Sequence, residues 1–246
     1  MSNQTSEELA ENVVAASVNF LFSSTGLFIN ALAAYHLRSV PSLKGSSFAT
    51  LSVSMAAADC GILAVFAFWC SPIMIGQWAE LSTGLIGRKM GQFSLVFWFA
   101  SLYSILAVAV NRLVAIAKPT RYEKIFSAER TRNFLSATQQ LTTQLDRAEA
   151  VRRARQEIRF FIQACINGTI FELMMLSFHI FSRFATEKWG WFLTTTMFWQ
   201  TFHSTNGFVF LAFHGELRRA AIGTLLCRPK SKNNTTVQVI KLPDRN

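Results

Sequence analysis

The sequence predicts an all-α fold, a polytopic membrane helix bundle, and three observations predict it. Apolar residues make up 51% of the 246, Phe alone accounts for 23, and only 15% are charged, which is the composition of a membrane chain. The apolar residues are gathered into runs of about 20 or more, the length of helix that crosses roughly 30 Å of hydrocarbon. The cations that give the chain its formal charge of +10 lie between those runs and not across one surface, so the excess marks topology and implies no nucleic-acid partner.

Five runs are long enough to span: about 13–37, 48–69, 91–117, 160–181 and 189–213. Backbone polar groups in lipid must be satisfied within a helix or a closed barrel, and the length and lack of alternation of these runs select helices. Residues 1–12 precede the first run without a Lys or Arg, so the first helix is expected to act as the insertion signal. With the N-terminus outside, nineteen Lys and Arg fall in cytoplasmic segments against four outside, and the C-terminus is then cytoplasmic. Asn3, in Asn3-Gln4-Thr5, is the glycosylation sequon of the outer N-terminus, whereas those at Asn167, Asn233 and Asn234 should be silent.

The first span carries Gly26 and Asn30 one turn apart, a small residue and an amide of the kind that lets helices approach and hydrogen-bond. The second carries Asp59, a carboxyl that must find a partner at that depth. The third ends on Arg112, a lone cation that either snorkels to the interface or faces the bundle interior. In the fourth, Gln163 and Asn167 share a face that should point inward, with Glu172 some way round and His179 nearer the outer end. The last is polar along one side through Thr194, Thr195, Gln200, His203, Ser204 and Asn206.

Residues 214–227 read as a short amphipathic helix on the inner leaflet, with Leu217, Ala221 and Leu225 against Arg218 and Arg219, and Cys227 is a candidate for palmitoylation. The tail, 228–246, is polar and expected to be disordered. The four cysteines follow no disulfide or zinc spacing, and the histidines form no metal box. No nucleophile with its base and no phosphate loop is present, so neither an enzyme nor a metal or other cofactor is expected.

Asn111-Arg112-Leu113-Val114-Ala115-Ile116, with Pro119 and Tyr122-Glu123-Lys124-Ile125-Phe126-Ser127, resembles the third-helix end and second cytoplasmic loop of a G protein-coupled receptor. In particular it is similar to the nematode chemoreceptors called serpentine receptor class x. The resemblance implies a rhodopsin-like architecture, with Asn111, Arg112, Leu113 and Tyr122 facing a heterotrimeric G protein. It makes Asn30 the anchor of helix one, within a GxxxN pattern, and Asp59 the acid of an apolar-Ala-x-x-Asp signature. Asn206-Gly207-Phe208-Val209-Phe210 resembles the Asn-Pro-x-x-Tyr switch, with Gly for Pro and Phe for Tyr. Asn30, Asp59 and Asn206 would then form a polar network below the ligand pocket. Trp98, Glu172, His179, Trp199 and His203 are candidates for contact with a small extracellular ligand or for the polar interior.

The chain departs from that family in one large respect. Residues 133–156 are too polar to cross a bilayer, and their spacing suggests a cytoplasmic helix over 133–158 that runs into the next span. The fourth and fifth helices of the family are therefore expected to be missing, leaving five transmembrane helices instead of seven on unchanged sides. Ser101 and Ser104 are expected to lose protein partners on the flank so exposed. The expected role is a chemosensory receptor at the plasma membrane, ciliary included, in contact with lipid. The alternative is a truncated, non-signalling protein, retained in the endoplasmic reticulum or joined to full-length serpentine receptors in an oligomer.

Overall fold

The computed structural model describes residues 6–40, 46–117 and 143–226, and every element among them is a helix. Asn3, Tyr122, Cys227, the tail 228–246 and the 133–142 part of the expected cytoplasmic helix lie outside the described residues.

Helix α1 (Ser6–Ser39) starts seven residues before the apolar run, and its first turn carries Glu7 and Glu8, which suit the positive end of the helix dipole. Helix α2 (Ser47–Gly76) opens on an N-cap in which Ser46 Oγ accepts the Ala49 N–H at 3.1 Å. It runs past the expected end through a π turn, Phe66–Cys70, and on over Pro72 to Gln77, whose left-handed φ of 49° stops it. After a short α3 (Ala79–Thr83), α4 covers Leu85–Ala117. Helix α5 (Thr143–His179) is one unbroken helix that carries both the charged run and the apolar span. Helix α6 covers 188–213 with a π stretch, Phe192–Met197, and α7 covers Gly215–Leu225.

Among the described residues, four helical segments are long and apolar enough to cross a membrane: Ser6–Ser39, Ser47–Gly76, Leu85–Val114 and Ile158–Phe184. Helix α6 is as long but less apolar on average, because one of its sides is given over to Gln200, His203, Ser204 and Asn206, all buried. The five helices close a ring in which α1 packs on α2, α2 on α4, α4 on α5, α5 on α6 and α6 on α1, with α2 also touching α6 across the middle. The Lys188–Glu11 pair, 3.3 Å apart at the surface, joins the starts of α1 and α6 and adds little stability.

The apolar core is concentrated at the opposite end. There Ala33, Leu37, Phe48, Met55, Val108, Phe160, Phe210 and Leu217 pack together, and α7 folds back on the bundle through Leu217 and Ala221. Leu225, assigned to the same apolar face by its spacing, is exposed, as are Ile222 and Leu226. The polar flank expected on α4 does not exist. Ser101 and Ser104 are buried against α2, where Ser101 donates to Asp59 at 2.8 Å and Ser104 lies 3.4 Å from Ser54. What α4 turns outward is apolar, including Val96, Tyr103, Leu106 and Leu113.

Candidate functional site

The interior between α1, α2, α4 and α6 is polar. Asp59 of α2 is fully buried, and its two oxygens take three hydrogen bonds: Ser101 Oγ at 2.8 Å and His203 Nδ1 at 2.7 Å on Oδ1, and Asn206 Nδ2 at 2.8 Å on Oδ2. His203 Nε2 is 2.9 Å from Trp199 Nε1. An indole N–H only donates, so Nε2 is the accepting nitrogen and the ring proton sits on Nδ1, directed at the carboxylate. A chain of hydrogen bonds therefore runs from Trp199 through His203 to Asp59 and on to Ser101 and Asn206, tying three helices together.

Asn30 joins this cluster through backbone. Its Nδ2 donates to Gly26 O and to His203 O, both at 2.9 Å, so it fixes α1 to α6 without touching Asp59. The approach it spans is close because Gly26 has no side chain, and a Cβ there would come within 2.8 Å of Ser204 Cβ. Gly207 is as constrained, since its Cβ would sit 3.0 Å from the Asn30 backbone nitrogen.

A second buried network lies nearer the start of α1. Asn19 donates to Phe66 O at 2.8 Å and to Ser71 Oγ at 2.6 Å, Gln200 donates to Asn19 Oδ1, and Ser23 donates to Gln200 Oε1 at 2.8 Å. Here a side chain of α1 serves the carbonyl that the π turn of α2 presents. Asn19 and Ser23 are not among the site residues expected from sequence. The signal was in the spacing: Asn19, Ser23, Gly26 and Asn30 follow one another at three- and four-residue steps, a polar stripe on an otherwise apolar helix.

One turn above His203, toward the start of α1, aromatic rings gather round Trp199. Phe178 is 5.6 Å away centroid to centroid, and Phe66 and Trp98 are each 6.3 Å away. The structure thus brings together three of the five candidate ligand residues, Trp98, Trp199 and His203. It does not bring in the other two. Glu172 and His179 are exposed on the outer side of α5, because the turn from the buried Gln163 and Asn167 carries both off the inner face. Two grooves exist elsewhere. One of about 620 Å³ is lined by Ala16, Phe20, Pro72, Ile75 and Trp78, and one of about 490 Å³ by Leu37, Arg38, Ala49 and Val53.

At the α7 end stands Arg112, which is 2% exposed. It does not snorkel. Its guanidinium carbon lies 4.7 Å from the centroid of Phe48 and 4.6 Å from that of Phe160, rings that are themselves stacked at 4.1 Å. His214 completes the box, 5.0 Å from Phe160 and 5.5 Å from Phe48. Burial, together with the positive charges of Arg112 and Arg159, lowers the His214 pKa to about 4 against a partial opposing effect of Glu216. Asn111 is buried beside Arg112 with no hydrogen-bond partner for its amide among the described residues, while Leu113 faces outward.

Two comparisons place this chain in a family. The family described as Serpentine type 7TM GPCR chemoreceptor Srx matches the chain over residues 20–142 and 133–214. Serpentine receptor class X 45 of Caenorhabditis elegans is 31% identical over 122 residues, which are 50% of this chain and 33% of that relative. The matched region thus spans a third of the relative's length. No solved structure matches. A helical bundle whose apolar spans meet on buried Asn, Asp and His side chains, matched from its first span to its last, belongs to the serpentine chemoreceptor family Srx.

Proposed function

We propose that the chain is a chemosensory receptor of the G protein-coupled class, with a small ligand received at the outer end of the bundle and Arg112 at the inner end. The observation that carries this reading is the hydrogen-bonded line from Trp199 through His203 to Asp59. Trp199 stands at the aromatic cluster where a ligand entering from outside would press, and its indole N–H is bonded to the histidine that holds α2 and α6 together. A ligand that turned the indole would break that bond, and the strain would fall on the α2–α6 contact. The positive-inside asymmetry supports the orientation, with five spans and the C-terminus in the cytoplasm. Glycosylation sites introduced between Lys118 and Arg159 should then stay unmodified.

Arg112 is the residue assigned to the signalling partner, reached when the Phe48–Phe160 box opens. The test is expression with a reporter G protein at the plasma membrane and a panel of volatile and water-soluble compounds. A saturable response that is lost in Arg112→Ala and right-shifted in Trp199→Phe supports the reading. Surface-delivered protein with no response to any compound, or a response indifferent to Arg112, removes it.

A second reading has its own support. The two stretches matched to the family overlap at 133–142, in the segment that is too polar to span, and only 17% of the most apolar stretch of Leu85–Val114 and of Ile158–Phe184 is buried against 56% of that of Ser47–Gly76. Such a chain acts as a partner of full-length serpentine receptors and is held in the endoplasmic reticulum when expressed alone. Rescue of surface delivery by a co-expressed relative distinguishes it from the first reading.

A further inference from the structure

The groove of about 490 Å³ between the end of α1 and the start of α2 is apolar along its wall and cationic at its mouth. Leu37, Ala49 and Val53 are its buried back wall, and Ala57 lies farthest from the mouth. Ala49 to Ala57 is eight residues of one helix, a depth of about 12 Å, against about 15 Å for the hydrocarbon of one leaflet. Arg38 stands at the other end, exposed in the last turn of α1. Its guanidinium makes no ion pair or hydrogen bond with a described residue. The surroundings supply almost no counter-charge. Between Glu11 and Asp59 the chain has no acid, while it carries Arg38 and Lys44. Asp59 is fully buried and committed to its three partners, and α7, bonded to this end of α1 through Thr224 and His36, sets Arg218 and Arg219 against the single Glu216.

We infer that this groove holds one anionic glycerophospholipid of the inner leaflet, its phosphate paired with Arg38 and an acyl chain laid against Val53 and Ala57. The apolar length of the groove fits a chain and excludes a soluble anion, which would leave that wall bare. The cation at its mouth fits a phosphate, which a guanidinium meets with two parallel hydrogen bonds. An anionic head is favoured over a zwitterionic one because it brings no cation of its own to a segment already rich in positive charge. Only the choice of leaflet rests on the orientation proposed above, since anionic lipid is concentrated on the cytoplasmic face. The receptor reading itself is not needed.

The experiment places the whole chain in phosphatidylcholine nanodiscs with a graded fraction of phosphatidylserine and counts the lipids retained on extraction by native mass spectrometry. One phosphatidylserine per chain should be retained in preference to phosphatidylcholine. Arg38→Gln should raise its apparent dissociation constant about fivefold, and Arg38→Lys should recover part of the loss. Arg183→Gln, which removes an exposed cation near the far end of α5, should change nothing. Ala57→Phe, at an exposed position of the groove, should weaken binding by excluding the chain, and soluble phosphoserine should fail to compete. Thermal unfolding checks the fold of each variant, and Arg38→Gln, at an exposed position outside the core, decides the matter where Ala57→Phe is destabilised. Equal retention of the two lipids, equal losses in Arg38→Gln and Arg183→Gln, full competition by phosphoserine, or undiminished binding in a folded Ala57→Phe protein would each overturn the inference. Both faces of a nanodisc carry the same lipid, so these results stand whatever the orientation, and a tail found outside the cell by protease access would overturn the leaflet alone.

Discussion

Replacing Asp59 with Ala removes the one group on which Ser101, His203 and Asn206 converge. Three hydrogen bonds of 2.7–2.8 Å go with it, and Ser101 Oγ, His203 Nδ1 and Asn206 Nδ2 are left buried without the acceptor they shared. Hydrogen bonds between membrane helices average about 0.6 kcal/mol and reach about 1.7, so three give about 2 kcal/mol, with a ceiling near 5. The measurement is equilibrium unfolding in bicelles titrated with denaturing detergent, following the reactivity of the adjacent Cys60 thiol, which becomes accessible when α2 leaves the bundle. A double-mutant cycle with His203→Ala isolates the pair, whose coupling should be about 1 kcal/mol because they share one network. A destabilisation below about 0.5 kcal/mol, or strictly additive effects of the two substitutions, would show that the cluster adds nothing to holding α2 against α6.

Three further outcomes follow from distances given above. Gly26→Ala should destabilise the α1–α6 contact by roughly 1–3 kcal/mol, because the new Cβ meets Ser204, and adding Ser204→Gly should recover most of it in the same unfolding assay. His214 takes up its proton near pH 4 in the folded chain but near 6.5 when unfolded, so the unfolded state binds more protons between these values and stability falls as pH drops through that window. The loss is on the order of 3 kcal/mol by pH 4, and His214→Phe, which keeps a ring beside Phe48 and Phe160, should flatten that part of the pH profile. Arg112→Lys should cost about 1–2 kcal/mol, since a compact ammonium cannot lie flat over Phe48 and Phe160 as a guanidinium does, and a quantitative thermal shift in detergent would register it.

The membrane bundle was legible because its signals are local. Run length, the polar break after Arg132 and the placement of cations each depend on a few neighbouring residues. Gly26 and Asn30 were legible for the same reason, being one turn apart on one helix. The destination of Arg112 was not. A lone arginine at the end of an apolar run reads equally as a snorkelling cation or an interior one, and what decides is a pair of rings brought from positions 48 and 160 by separate helices. Ser101 was misread as an exposed hydroxyl, since its rotation toward α2 is set by helix packing rather than by its neighbours in sequence. Glu172 was legible only in part: its angle from Asn167 placed it some way round from the face expected to point inward, but how far the neighbouring helices reach round α5 is set by packing, and the structure leaves it outside.

The π turns of α2 and α6 have a consequence for the spelling of the chain. Each is one residue more than an α-helix needs, and each residue advances the helix by about 100°. Deleting Ala67 would wind Phe66–Cys70 back to an α-turn and leave the helix on either side in phase, so Ser71 would still face Asn19 and Asp59, upstream, would keep its partners. The same deletion at Ala58 would instead carry Phe48 and Asp59 out of phase with each other, separating the aromatic box from the polar cluster. A single-residue gap is therefore survivable at those two turns and ruinous a few positions away, and the two stretches act as the places where the length of a span is adjusted without respelling its interior.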